Sequence, residues 1–220
     1  MKTITQNLQK LKSSLENKPQ INIVVVTKTR SPEEIQEAIA AGATSIGENR
    51  VQEAEQKFSK IQNIEKTEKR LIGRLQSNKA KKAVKIFDTI DSVDSLKLSQ
   101  KISKAAQDLG KTQRVLLQIN SSGESTKAGF NLNSKKEILE CINMSGIRVE
   151  GLMTMGPNTQ EVDLIAKSFQ KTKKLFDELN ELENVKMKTL SMGMSGDYLI
   201  AVREGSTSIR VGTAIFGPRA

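Results

Sequence analysis

Lys28 directly follows the run Ile-Asn-Ile-Val-Val-Val-Thr at positions 21–27. A β-branched run with polar residues on both sides is typical of a buried parallel strand. In a barrel of such strands, reactive groups lie at the carboxyl ends of the strands. A lysine amine at that place can attack a carbonyl group once it is deprotonated, and partial desolvation beside other cations lowers the pKa of a lysine. Lys28 is therefore a candidate for covalent chemistry with an aldehyde.

Two later segments have the composition of phosphate-binding loops. Residues 191–195 read Ser-Met-Gly-Met-Ser, and residues 210–213 read Arg-Val-Gly-Thr. A phosphate needs converging backbone N–H groups, hydroxyls and the close approach that glycine allows. The loops after strands seven and eight of an α/β barrel often bind phosphate. Each segment alone fits a tight turn equally well, but the two together favour a phosphate site. With Lys28, they indicate a site for pyridoxal 5′-phosphate (PLP).

The elements that must position these residues alternate between strand-like and helix-like patterns. An amphipathic helix is predicted over 3–17, and eight strands are predicted over 21–28, 43–47, 70–73, 86–90, 113–120, 147–153, 185–191 and 208–211. Eight strands alternating with helices predict a closed α/β barrel of the (β/α)8 type. The alternative, an open doubly wound sheet, usually has a glycine-rich turn after its first strand, and residues 28–32 contain no glycine. No linker interrupts the chain, so we expect residues 1–220 to form one domain.

The composition argues against several classes of function. The formal net charge is +10, but the lysines are spread over most of the predicted helices. The chain has no Trp, one Tyr and six Phe, so it offers few aromatic platforms for single-stranded nucleic acid. A solvated basic surface is the simpler interpretation, and we expect no nucleic-acid partner. The absence of histidine excludes Ser-His and Cys-His pairs and imidazole zinc sites.

Cysteine usage and hydropathy bear on the compartment. Cys141 is the single cysteine, so no internal disulfide can form, and a reducing cytoplasm is the simpler interpretation. No segment approaches the roughly 20 apolar residues of a membrane span, and residues 1–18 do not have the pattern of a secretory signal. We expect a cytoplasmic protein without a membrane partner. No long exposed apolar helix is predicted, and we expect a monomer.

Several segments also resemble a known family. They read VTKT at 26–29, IGENRVQE at 46–53, LIGRLQSNK at 71–79, IDSVD at 90–94, KAG at 127–129, GLMTM at 151–155, LSMGMSGD at 190–197 and GSTSIRVGTAIFG at 205–217. In this order they resemble the pyridoxal phosphate homeostasis proteins, whose fold is similar to the N-terminal barrel of alanine racemase. The Ser-Met-Gly-Met-Ser segment is the most specific of the matches.

The resemblance implies a role for each matched site residue. It implies that Lys28 forms the internal aldimine with PLP. The other implied roles are a phosphate site at Ser191, Gly212 and Thr213, and a wall beside the ring at Asn49 and Met153. Lys127 matches a second family lysine with a proposed part in cofactor handling.

The resemblance also implies that Arg210 faces the pyridine nitrogen. An arginine does not protonate that nitrogen, because the guanidinium pKa exceeds 12. The ring then stays a weak electron sink, and carbanion chemistry is damped.

The family is regarded as acting in vitamin B6 balance without catalysis, by holding PLP and supplying it to PLP-dependent apo-enzymes. The alternative is a PLP-dependent racemase, which needs a second acid or base on the opposite ring face, commonly a tyrosine. Tyr198, the single tyrosine, does not match a catalytic tyrosine motif. Arg70 and Arg74 depart from the Trp-His and histidine that are frequent in the family, and we expect both departures to affect the rim and charge of the pocket.

Overall fold

A computed structural model of the protein describes residues 3–16, 20–124 and 128–218. Within these ranges the helices are α1 (Ile4–Ser13), α2 (Pro32–Ala40), α3 (Val51–Phe58), α4 (Ala80–Ile86), α5 (Leu96–Gln107), α6 (Lys135–Ile142), α7 (Val162–Asn180), α8 (Tyr198–Arg203) and α9 (Thr213–Phe216). The strands are β1 (Asn22–Val26), β2 (Ser45–Glu48), β3 (Glu68–Leu71), β4 (Thr89–Val93), β5 (Gln113–Asn120), β6 (Phe130–Asn131), β7 (Ile147–Thr154), β8 (Thr189–Ser191) and β9 (Ser208–Val211). No helix in the described ranges is both long and apolar enough to span a membrane.

The strands close into a barrel. Parallel pairs run in the order β1, β2, β3, β4, β5, β7, β8 and β9, and β9 pairs with β1 in turn. The short β6 pairs with the carboxyl end of β5 outside this ring. The predicted (β/α)8 barrel is confirmed. Because every strand in the ring points the same way, the loops that follow the strands meet at one mouth.

Five predicted strands are displaced or shortened. The first covers Asn22–Val26 and not 21–28, the second covers Ser45–Glu48 and not 43–47, and the fourth covers Thr89–Val93 and not 86–90, because Ile86 still belongs to α4. The third strand covers Glu68–Leu71 and not 70–73, because Glu68 already pairs with Ser45 of β2. The seventh covers Thr189–Ser191 and not 185–191, although Val185 is buried. That residue is apolar because it packs in the core and not because it pairs in the sheet.

The helical predictions differ mainly at the ends of the chain. The first helix is α1, which ends at Ser13; residue 17 of the predicted range lies outside the described residues. Helix α8 begins only at Tyr198, because Ser195 belongs to the loop after β8. The four-residue α9 was not predicted, since one turn is too short to produce a helical hydrophobic period.

Helix α2 begins directly behind the loop that contains Lys28. The Ser31 hydroxyl accepts a hydrogen bond from the Glu34 backbone N–H at 3.3 Å. The Glu34 carboxylate accepts one from the Ser31 N–H at 2.8 Å, which completes a capping box with Pro32 in the first turn. This cap fixes the chain three residues after Lys28.

The barrel interior contains a buried ion pair. The Arg70 Nε lies 3.1 and 3.0 Å from the two carboxylate oxygens of Asp91, whose side chain is fully buried. Arg70 Nη1 also donates to Glu68 at 2.9 Å. Burial disfavours the guanidinium, but Asp91 and Glu68 more than offset this effect, so the pKa of Arg70 lies above its ordinary value. Arg70 therefore lies inside the barrel, and the expectation that it affects the pocket rim is wrong.

We expect the Arg70→Met substitution to lower the free energy of unfolding by roughly 3–5 kcal/mol, because it leaves the Asp91 charge buried without its partner. Replacing both residues, in Arg70→Met/Asp91→Leu, should recover most of this loss. Urea unfolding followed by circular dichroism measures both changes. Arg74→Met is the matched control, since that side chain is 81% exposed and should leave stability nearly unchanged.

Candidate cofactor-binding site

A cavity of about 260 Å³ lies at the mouth where the loops after the strands converge. It is lined by Val26, Lys28, Arg30, Asn49, Ile72, Met155, Met194, Ser195, Gly196, Arg210, Gly212 and Thr213. These residues come from the ends of β1, β2, β3, β7, β8 and β9. The volume suits a small ligand and lies just below the range of drug-sized pockets.

The structure brings most of the predicted site residues to this cavity. Five of the seven line it: Lys28, Asn49, Arg210, Gly212 and Thr213. Met153 and Ser191 do not; both are buried within their strands, where they face each other in register. Lys127, the eighth residue singled out, lies outside the described residues.

The sequence reasoning missed Met155 and Ser195 as lining residues. Each lies a little further along the chain than the residue predicted from the same segment, Met153 and Ser191 respectively. β7 ends at Thr154 and β8 at Ser191, so Met155 and Ser195 belong to the loops that open at the mouth of the barrel. The residue at which each strand ends, and not the sequence motif, decides which side chain lines the cavity.

The Arg210 guanidinium is held rigidly beside the cavity. Nη1 donates to the backbone oxygen of Ser191 at 2.9 Å and to its hydroxyl at 2.7 Å. Nη2 donates to the backbone oxygen of Thr154 at 2.8 Å. Burial lowers the pKa of Arg210, and the nearby carboxylates of Asp91 and Asp197 oppose that shift. Ser191 thus reaches the site through Arg210 and not by its own exposure.

Two backbone N–H groups in the loop after β9 converge on one hydroxyl of the loop after β8. The Gly212 N–H and the Ala214 N–H each donate to the Ser195 Oγ at 3.3 Å. A Cβ on Gly212 would lie 3.3 Å from both the Cβ and the carbonyl oxygen of Val26, so the close approach of the two strands favours glycine. N–H groups that point at one oxygen are the geometry that binds a phosphate oxygen.

The loop that carries Ser195 is fixed by a glycine. Gly193 has φ of +94°, and a Cβ there would lie 2.6 Å from Ala201 and 2.9 Å from Tyr198. The Gly193 carbonyl accepts the Arg210 N–H at 3.0 Å. Only glycine combines this backbone conformation with such close packing. The loops after β8 and β9 are therefore held together at the point where Ser195 meets Gly212.

Lys28 lies at the end of β1 and is half-buried. The preceding residue, Thr27, donates its N–H to the Gly47 carbonyl at 2.9 Å, which continues the pairing with β2. The following residue, Thr29, has φ of +64°, an uncommon conformation for a β-branched residue that costs on the order of 1–3 kcal/mol. The chain therefore turns sharply just after Lys28.

The cavity is electropositive. Three of its lining residues are the cations Lys28, Arg30 and Arg210, and none of its lining residues is acidic. A concave site lined by one sign of charge concentrates ligands of the opposite sign. The cavity thus combines a lysine amine, converging N–H groups and a positive potential. Those features fit a small ligand that carries a phosphate and a carbonyl.

Arg74, the second departure from the family pattern, belongs to a neighbouring groove. It is largely exposed and lies 3.7 Å from the Asp94 carboxylate. The groove also contains Arg50 and Lys79, and it shares Asn49 with the cavity. Arg74 therefore affects the charge outside the cavity and does not contact the space beside Lys28.

Comparison with known proteins finds relatives over most or all of the chain. The sequence profile described as "Alanine racemase, N-terminal domain" matches residues 1–220. The pyridoxal phosphate homeostasis protein of Aquifex aeolicus is 38% identical over 194 residues, which cover 88% of this chain and 85% of that protein. The pyridoxal phosphate homeostasis protein of Vibrio alginolyticus is 35% identical over 234 residues, covering 100% and 99%.

Solved structures agree with this comparison. PipY of Synechococcus elongatus, determined with PLP bound, superposes with a TM-score of 0.89 at 34% identity over 98% of this chain and 100% of that one. Alanine racemase of Clostridium difficile superposes with a TM-score of 0.81 at 21% identity, over 99% of this chain but only 57% of the racemase. The second likeness concerns the fold alone.

Substitution of Gly193 by alanine tests the fixed loop. We expect Gly193→Ala to lower the free energy of unfolding by roughly 1–3 kcal/mol, because the added Cβ meets Ala201 and Tyr198 and the positive φ is strained. Chemical denaturation measures the change. Gly196→Ala in the same loop is the control, since nothing lies within 4 Å of its added Cβ. Equal stability of the two variants would contradict the account of the loop.

Proposed function

This chain belongs to the alanine racemase N-terminal domain family and, within it, to the pyridoxal phosphate homeostasis proteins, and we propose that it binds PLP reversibly through Lys28. The proposal treats residues 1–220 as one PLP-binding domain. Its role would be to hold the reactive cofactor and release it to PLP-dependent apo-enzymes. We also propose that the protein acts as a monomer in the cytoplasm.

One observation carries this proposal: Lys28 and the converging N–H groups of Gly212 and Ala214 belong to the same small electropositive site. PLP supplies an aldehyde that condenses with a primary amine and releases water, so attachment is covalent and reversible. Lys28 is the residue of the cavity that offers a primary amine. The two ends of the site thus match the two reactive ends of the ligand.

The phosphate would be bound at the loops after β8 and β9. We assign it to the N–H groups of Gly212 and Ala214 and to the hydroxyls of Thr213 and Ser195. Ser195 already accepts from both N–H groups, so its hydroxyl marks the place of an acceptor oxygen. Ser191 remains a proposed part of this site through its hydrogen bond with Arg210.

The ring would lie between Asn49 and the strand ends that carry Met153 and Met155. Asn49 and Met155 line the cavity, and Met153 is buried behind this wall. Arg210 would face the ring nitrogen. Its pKa is lowered by burial, but its carbonyl and hydroxyl partners are all acceptors, which stabilise the charged guanidinium. A cation beside the ring nitrogen would keep that nitrogen unprotonated. The ring would then be only a weak electron sink.

We propose that the protein does not catalyse turnover of amino acids. Racemisation needs an acid or base on the ring face opposite the lysine. The Tyr198 hydroxyl lies 3.4 Å from the Ser14 hydroxyl, next to α1, and Tyr198 does not line the cavity. Tyr198 therefore does not supply the second acid or base that the alternative, a PLP-dependent racemase, would need.

Absorbance spectroscopy tests the attachment to Lys28. We expect the wild type to develop a visible absorbance band with PLP, and borohydride to convert it into a stable lysine adduct. The Lys28→Ala variant should lose both, while Lys101→Ala, an exposed residue of α5, should keep them. A band of equal strength in Lys28→Ala would assign the attachment to another amine.

A racemase assay separates the proposal from its alternative. We expect no conversion of L-alanine to D-alanine by the PLP-loaded protein, measured by chiral chromatography. Turnover on the order of 1–10³ s⁻¹, the ordinary range for enzymes, would establish the racemase alternative.

A further inference from the structure

We propose that Lys57, on α3, is a positioning residue that fixes the backbone on both sides of Lys28 and thereby sets the reach of the Lys28 amine. This inference rests on the proposed attachment of PLP to Lys28. Lys57 does not line the cavity and does not contact the space where the ligand would bind. Its effect would act entirely through the neighbours of Lys28.

The Lys57 ammonium has three acceptors. Its Nζ lies 2.8 Å from the Thr27 carbonyl oxygen, 2.9 Å from Glu48 Oε1 and 2.6 Å from Glu53 Oε1. An ammonium has three N–H donors, so these contacts account for all of them. The side chain is only 11% exposed, although lysine is rarely buried unless it is paired. The ammonium is thus held at one point between β1, β2 and α3.

These contacts reach the peptide groups on both sides of Lys28. The first is direct, because Lys57 binds the carbonyl oxygen of Thr27. The second runs through Glu53, whose Oε1 accepts the Thr29 N–H at 2.6 Å and also binds Lys57. Partial burial by itself raises the pKa of Glu53, but the bonds from Lys57 and the Thr29 N–H outweigh it, so the net pKa is lowered. The carboxylate that holds Thr29 therefore stays charged.

The bond from Thr29 to Glu53 falls where the backbone is least favourable. Thr29 has φ of +64°, which a threonine adopts only when its surroundings enforce it. Its direct N–H partner is Glu53, and Glu53 is held in turn by Lys57. Without this support, we expect the turn after Lys28 to relax toward ordinary backbone angles. The base of the Lys28 side chain would then point in a different direction.

Glu48 completes the network and supplies a second variant. Its side chain is fully buried, and Oε1 accepts from Lys57 at 2.9 Å and from the Thr27 hydroxyl at 2.8 Å. Its other oxygen has no hydrogen-bond partner within the described residues. Burial raises the pKa of Glu48, and Lys57 opposes this shift. Removing Lys57 alone would therefore leave a buried carboxylate unpaired, whereas Lys57→Met/Glu48→Gln removes both charges.

The network acts on one end of the site only. Lysine has a long flexible side chain, and ordering its base lowers the cost of bringing the amine to the aldehyde. The converging N–H groups of Gly212 and Ala214 belong to the loop after β9, and the three acceptors of Lys57 lie outside that loop. Loss of Lys57 should weaken covalent attachment and leave phosphate recognition intact.

The test compares two ligands on the same variants. PLP carries the aldehyde, whereas pyridoxine 5′-phosphate carries an alcohol in its place and cannot condense with an amine. For Lys57→Met/Glu48→Gln we expect the Kd for PLP to rise about tenfold, which corresponds to roughly 1.4 kcal/mol. The visible band should also appear more slowly. The Kd for pyridoxine 5′-phosphate, from competition or fluorescence titration, should stay within about twofold of wild type.

Glu53→Ala is an independent variant at a half-buried position, chosen in case the double variant does not fold. It removes the acceptor of the Thr29 N–H and should give the same split between the two ligands. Glu55→Ala, an exposed residue of the same helix, is the control and should change neither Kd.

Three outcomes would overturn the inference. Equal weakening of both ligands would assign Lys57 and Glu53 a purely structural role. An unchanged Kd for PLP in both variants would show that the network does not affect Lys28. Absence of the visible band in the wild type would overturn the proposed function as well, and this result is distinguishable because it needs no variant.

Discussion

The parallel pairing of β1 with β9 closes the barrel, and the candidate site depends on this closure. Val25 lies opposite Val211 in register, so the chain that leaves β1 at Lys28 runs beside the chain that leaves β9 at Gly212. The two strands lie near opposite ends of the sequence. The two strands lie so close together that the Cβ of an alanine in place of Gly212 would lie 3.3 Å from Val26. An amine and a loop with converging backbone N–H groups thus become neighbours through one strand pair.

The interior of the closed barrel contains buried charged side chains as well as apolar ones. Arg70 and Asp91 pair in its interior, and the Arg210 guanidinium is bound by Ser191 and Thr154 where the interior meets the cavity. Buried ion pairs contribute little net stability compared with apolar packing, but removing one partner is costly. Such pairs therefore fix orientation. Arg210, which lines the cavity, is oriented by its hydrogen bonds to Ser191 and Thr154.

A fold shared with alanine racemase does not by itself imply the same chemistry. The mouth of the barrel supplies a lysine, converging backbone N–H groups and a buried arginine. The single tyrosine, Tyr198, contacts Ser14 just after α1 and does not line the cavity. Under the proposed function, a site with one amine and no acidic side chain among the described residues that line it holds an aldehyde but has little means of moving protons on a bound amino acid. The proposed retention and release of the cofactor would use the residues that remain.

The sequence by itself determined the alternation of strands and helices, the barrel, and the placement of Lys28, Gly212 and Thr213 at strand ends, because these depend on local hydrophobic periodicity and on glycine. Only the tertiary structure decided that Ser195 and not Ser191 lines the cavity, that Arg70 lies inside the barrel, and that Lys57 reaches the peptides around Lys28. Those facts depend on the exact residue at which a strand stops pairing and on which side chains meet across strands. Contacts of that kind join residues distant in sequence, and no local pattern specifies them.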